Sequence, residues 1–231
     1  MRKFVKFVAI LAFAVSSQVS HADLVFDLDT LINGSSPTDS GPWLTATFHT
    51  VSTGDVTLTL TNDMTSPQFI TEVAFNSLID PTSLTFTRTD STSTVPSSSV
   101  STDSTQDLTG GSSLKAGLFN IAISFGTSGG TSKQFNSGNN SVIFDITGSG
   151  LTEDSFNLLS LDGGSGFLGT DYLMAAKVQG IPIPGSNKTT SGSIGYVSVT
   201  PVPEPQVYAM MGVGLLLMGF VAHRRRQQDP T

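Results

Sequence analysis

Two-residue alternation constrains this chain more than any other feature. Val56, Leu58 and Leu60 interleave with Thr57, Thr59 and Thr61, and Leu44, Ala46 and Phe48 interleave with Thr45, Thr47 and His49. Phe119, Ile121, Ile123 and Phe125 stand against Asn120, Ala122 and Ser124, and Val142, Phe144 and Ile146 form a further row. Successive side chains of a β-strand point to opposite faces, so each row predicts a strand with one face in a core and one in water. Residues 25–28, 71–75, 84–88, 172–179 and 194–199 are further strand candidates.

Turn formers separate these runs, among them Asn33-Gly34, Gly41-Pro42, Gly129-Gly130 and Gly163-Gly164. No amphipathic helical period intervenes. Eight to ten short strands without helices between them predict an all-β fold, an antiparallel β-sandwich or jelly-roll-like domain over residues 23–200. Residues 89–113 differ in kind: Ser, Thr, Gly and Asp dominate, with only Val95, Val100 and Leu108 to bury. Such a run cannot offset its ordering entropy, so it reads as a Ser/Thr-rich loop or a frayed edge, either a solvated insertion or a carrier of O-linked sugars.

The two ends of the sequence are unlike the middle. Residues 1–22 begin with Arg2, Lys3 and Lys6, continue through an apolar stretch from Phe7 to Val15, and reach small residues at Ser20 and Ala22. This order predicts a signal peptide cut by signal peptidase between Ala22 and Asp23; the apolar stretch is too short to span a bilayer. Residues 207–222 are uncharged and apolar, equivalent to about 24 Å of helix. Arg224, Arg225 and Arg226 follow at once. A positive cluster stays cytoplasmic, so a transmembrane helix at 207–222 would place the domain on the far side of the inner membrane.

Val202-Pro203-Glu204-Pro205, the apolar segment and the arginine cluster, in that order over residues 201–231, resemble the PEP-CTERM sorting signal. The resemblance covers only the C-terminal tail. It implies handling by an exosortase, a membrane-embedded cysteine-protease-like enzyme that cuts near the motif. Carried over, Pro203, Glu204 and Pro205 form a recognition site in a substrate rather than catalytic residues. A proline pair resists helix and sheet pairing and leaves the segment extended.

Charge and cysteine usage narrow the partners. Between residues 23 and 201, 16 acidic residues oppose five basic ones, a net of −11. Like-charge repulsion excludes nucleic acid and disfavours anionic headgroups as partners of the domain, and leaves divalent cations, cationic groups or neutral exopolysaccharide. The chain has no cysteine, which excludes disulfides, thiolate nucleophiles and cysteine-ligated metals.

Catalytic chemistry is sparsely supplied. His49 is the one histidine of the domain and falls on the polar side of its row. Gly126-Thr127-Ser128-Gly129-Gly130 matches the G-x-S-x-G form, but residues 131–134 open no helical period, as a nucleophile elbow requires. Asp27 with Asp29, Asp103 with Asp107, and Glu153 with Asp154 are the carboxylate pairs a glycosidase would need across a cleft. Oxygen-rich turns at Asp27, Asp29 and Asp162 would suit Ca²⁺, although none matches an EF-hand loop. Trp43, Tyr172 and Tyr196 could supply a sugar-stacking platform, while the phenylalanines fall on inward rows and read as core.

The expectation is therefore a non-enzymatic structural or interaction protein of the bacterial envelope or exopolysaccharide matrix, with no required cofactor. The alternatives are a calcium-assisted carbohydrate-binding lectin-like module and, on Ser128 and His49, a secreted hydrolase.

Overall fold

Rows of alternating Val, Leu and Thr bury one face only when strands pair side by side and a second layer covers that face. The computed structural model describes residues 22–90, 97–102, 116–127, 130–161 and 169–197, and shows this arrangement. In chain order the first strands are β1 (Leu24–Leu28), β2 (Thr30–Gly34), β3 (Leu44–Ser52), β4 (Asp55–Asn62), β5 (Phe69–Phe75) and β6 (Thr85–Arg88). The remainder are β7 (Ser98–Ser101), β8 (Ile121–Phe125), β9 (Ser141–Thr147), β10 (Met174–Pro182) and β11 (Thr189–Tyr196).

They form two antiparallel sheets, one ordered β1-β3-β4-β9-β6 and the other β2-β11-β10-β5-β8-β7. Pairing in register sets the rows opposite one another: Phe26, Ala46 and Leu60 align across β1, β3 and β4, and Val142 continues the row on β9. The inward side chains of both sheets meet in one core, where Phe48 of the first sheet packs edge-on against Phe75 of the second at 5.4 Å. Phe156, from a 3₁₀ turn at Glu153–Phe156, stacks on Phe48 at 4.4 Å. Each such side chain removed from water contributes about 1.5–3 kcal/mol.

The sides of the two sheets are joined differently. β1 and β2 are separated only by Asp29, so one stretch of chain edges the first sheet and then the second. On the opposite side Arg88 of β6 donates to Ser98 Oγ of β7 at 3.3 Å, and grips the Asp90 carboxylate through Nε and Nη2 at 2.6 and 2.8 Å. A bidentate guanidinium of this kind fixes direction as well as distance.

The outer face of the six-stranded sheet carries a second apolar cluster built on Ala74, Ala122 and Ala175, roofed by Phe119, Tyr172 and Ile32. Its closeness depends on Gly195, where a Cβ would lie 2.6 Å from Tyr172 Cδ1 and 2.7 Å from Ile32 Cδ1. This corrects the row that placed Phe119 with Ile121: Phe119 precedes β8 and packs on the opposite face from Ile121, Ile123 and Phe125. Two strands were not expected. β2 occupies the stretch that ends in Asn33-Gly34, and β7 lies inside the Ser/Thr-rich segment, where it forms an edge strand. Among the described residues no helix is long and apolar enough to cross a membrane; the expected signal peptide at 1–22, except Ala22, and the expected helix at 207–222 lie outside them.

Candidate functional site

The start of β1 and the end of β11 come together at one pole of the two sheets. Phe26 and Tyr196 stack with ring centroids 5.2 Å apart, and Leu173 N–H donates to Tyr196 O at 3.0 Å. From there a chain of hydrogen bonds crosses the pole. Ser160 N–H donates to Tyr172 O at 2.7 Å, Asn76 Nδ2 donates to Leu159 O at 2.9 Å, and Leu78 N–H donates to Ser155 O at 2.8 Å. Glu153 N–H then donates to Thr50 Oγ1 at 2.8 Å, which ties in the β3–β4 hairpin.

Asn76 and Asn120 hold this pole rigid. The Asn120 N–H donates to Asn76 Oδ1 at 2.7 Å, Ser77 N–H donates to Asn120 Oδ1 at 2.9 Å, and Asn120 Nδ2 donates to Ser77 O at 3.0 Å. Beside them opens a cavity of about 210 Å³ lined by Asn76, Asp80, Thr102, Phe119, Asn120 and Leu161. Its amide groups are spent on backbone partners, so the hollow offers shape and apolar surface rather than reactive groups. Asp80 lies on its rim, where hydrogen bonds from the Thr82 hydroxyl and then the Thr82 N–H hold its carboxyl below the ordinary range.

The residues singled out from the sequence are dispersed. Ala22 and Asp23 stand just before β1, and Asp23 Oδ1 lies 2.6 Å from His49 Nδ1 in an exposed pair. His49 is thus engaged at the surface by the residue on the far side of the expected cleavage. Asp27 accepts from Thr45 Oγ1 at 2.9 Å, whereas Asp29 accepts from Thr30 Oγ1 and packs against Gly41. Asp27 has a different carboxylate neighbour, Asp63, whose own carboxyl is pushed up first by burial and then by the Asp27 charge. Among the described residues no group of three or more His, Asp or Glu side chains is placed to hold a metal ion. Glu153 is buried while Asp154 is exposed, so this pair does not face a common cleft.

The aromatic platform is corrected outright. Trp43 is buried in the main core with its Nε1 donating to Asp39 O at 2.6 Å, Tyr172 is buried in the second cluster, and Tyr196 packs on Phe26. A chain this short of tryptophan and tyrosine uses them to fill and tether the interior. Ser128, Asp103, Asp107, Asp162, Val202, Pro203, Glu204, Pro205, Arg224, Arg225 and Arg226 lie outside the described residues.

One constellation was missed. Strand register sets Ser99, Ser124, Glu72, Lys177, Ser193 and Asn33 in a single row across all six strands of the second sheet. Glu72 and Lys177, direct cross-strand neighbours at its centre, are both buried. Opposite charges facing each other across a ladder favour one register over its neighbours. The signal in the sequence was Lys177 within the apolar run Met174–Val178.

Comparison with known proteins bears on the tail. Residues 201–226 match the family model of the PEP-CTERM protein-sorting motif. Neither the curated proteins nor the solved structures contain a match to this chain.

Proposed function

We propose that this chain, an exported protein carrying a PEP-CTERM sorting motif for an exosortase-type enzyme, is a structural or interaction protein of the bacterial envelope or exopolysaccharide matrix. The observation that carries the reading is the motif match at residues 201–226. The chain would enter the inner membrane with its signal peptide removed after Ala22, stay there as a single-pass intermediate held by residues 207–222 and Arg224–Arg226, and be cut near Val202–Pro205. The delivered domain would then act at the cell surface or in the matrix.

The domain acts by binding rather than by chemistry. His49 sits in an exposed pair with Asp23, which gives it the surroundings of a surface histidine rather than those of a general base beside a nucleophile. Burial of Trp43 and Tyr172 weighs against a lectin that stacks sugars on these rings.

Mass spectrometry of the mature surface protein from its native host tests the processing. A C-terminus close to Pro205 is expected in the wild type, and retention of the tail in the Glu204→Ala variant. An intact tail from Arg224 to Thr231 on the wild-type surface form would refute the reading.

A further inference from the structure

We propose that the pole where β11 ends is a docking surface for the sorting enzyme itself, so that the enzyme reads the folded domain together with the tail. The proposal rests on the processing read above. Its first support is reach. From Val197, the last described residue of the domain, the chain advances only five residues to Val202. Even fully extended this spans about 17 Å. An enzyme closed on Pro203-Glu204-Pro205, six to eight residues past Val197, therefore holds the chain at most about 27 Å from the end of β11, a distance that a folded protein spans.

The second support is what surrounds it. Leu78 is 65% exposed, Leu161 61%, Val51 59% and Leu159 40%. The hydrogen bonds that run from Tyr196 through Leu173, Tyr172, Ser160 and Asn76 put Leu159, held at the end of β5, and Leu161, bridged to Leu118 before β8, on the same pole as the exit of β11; those of Ser155 and Glu153 bring in Leu78 and Val51. Leu159 and Leu161 flank buried Ser160, so both face outward. Exposed leucines on one end, of which Leu161 lines a hollow of about 210 Å³, are what a partner covers. The Asn76–Asn120 hydrogen bonds prearrange this end and reduce the ordering cost of binding.

Charge selects the partner. Asp23, Asp55, Asp80, Asp154 and Asp171 border the pole. Among the described residues Lys133 and Lys188 belong to the turns at the opposite pole, Lys177 to the middle of β10 and Arg88 to the end of β6. A surface of leucines with an acidic rim is repelled by anionic phospholipid headgroups and suits a protein face that offers apolar pockets with Lys or Arg around them.

The test uses the full chain in a host that contains the sorting enzyme. Processing rate is followed by the appearance of the cut form for wild type, Leu78→Ser/Leu161→Ser, the conservative Leu78→Met/Leu161→Met, the opposite-pole control Ile183→Ser, and Glu204→Ala. The serine pair should slow processing on the order of fivefold or more, as loss of a central apolar contact does. The methionine pair and Ile183→Ser should run at the wild-type rate. Because the chain has no cysteine, Leu78→Cys carries one photo-crosslinker at a unique position. An adduct with the enzyme is expected. Wild-type processing of the serine pair, equal slowing by Ile183→Ser, or an adduct with lipid alone would each overturn the docking surface. If Glu204→Ala blocks cutting while the serine pair does not slow it, the sorting read stands and only the docking surface falls.

Discussion

The Asn120 N–H donates to Asn76 Oδ1 at 2.7 Å, while Asn76 Nδ2 donates to the Leu159 carbonyl at 2.9 Å, so one buried amide joins the end of β5 to both the approach to β8 and the 158–161 segment. Removing it leaves a part-buried backbone N–H and a carbonyl without that partner, each at a cost of about 1–3 kcal/mol. Asn76→Ala should therefore lower stability by about 3 kcal/mol in urea titration. The same substitution should slow tail processing even under conditions where the domain stays folded, because it loosens the leucine rim.

Phe156 is clamped between two rings of the main core, stacked on Phe48 at 4.4 Å and edge-on to Phe75 at 5.8 Å. It reaches there from a 3₁₀ turn outside the sheets, so the core depends on an element that contributes no ladder hydrogen bonds. Phe156→Ala should cost about 4 kcal/mol. Thermal unfolding should show the midpoint falling by about 10 °C, given about 2–4 °C per kcal/mol for a domain of this size.

Gly180 and Gly185 share a backbone conformation, with φ of 75° and 74°. A Cβ at Gly180 would run into the Pro67 carbonyl oxygen, whereas one at Gly185 meets nothing within 4 Å. Gly185→Ala should therefore cost only the left-handed conformation, about 1–2 kcal/mol. Gly180, in the β10–β11 bulge between Val178 and Ile181, must on substitution by Ala also displace the Pro67 backbone, and Gly180→Ala should cost clearly more. Urea midpoints of the two variants measured side by side test the difference.

Two aspartates predict opposite pH slopes. The native state holds a proton on Asp63 more tightly than the unfolded chain does, because burial and then the Asp27 charge raise its carboxyl above the ordinary 3.8. Its ionised form therefore weakens the fold above the native titration, and this cost fades as pH falls to 3.8. Asp63→Asn should raise the urea midpoint at pH 7 and change nothing once both states are protonated. Asp80 is the reverse: Thr82 lowers its carboxyl, so its contribution is present above 3.8 and is lost as pH falls through the native titration. Asp80→Asn should lower the midpoint at pH 7 only.

Much of the secondary structure was legible because alternation is a local signal. Thr57 to Leu60 show it wherever they are read, and β4 follows them. Strands whose order comes from partners rather than burial were not legible. β7 buries none of its four residues and exists through its ladder to β8, and β2 turns only Ile32 into a buried position. The aromatic platform failed for a related reason. Trp43, Tyr172 and Tyr196 lie far apart in sequence, and their apolar bodies are worth more inside two separate clusters than on a shared surface.

By itself the sequence determined the all-β class and the sorting tail, since both are written in residues that lie next to one another: an alternating row, a Pro-Glu-Pro segment, an apolar run and three arginines. Which strands are neighbours, that Asp29 is the point where the chain changes sheets, that Glu72 faces Lys177, and that Val51, Leu78, Leu159 and Leu161 lie at the pole where β11 ends were decided only by tertiary structure. Period-two alternation specifies which face of a strand is buried and says nothing about which strand lies beside it; that choice is made by packing and register between segments distant in the chain.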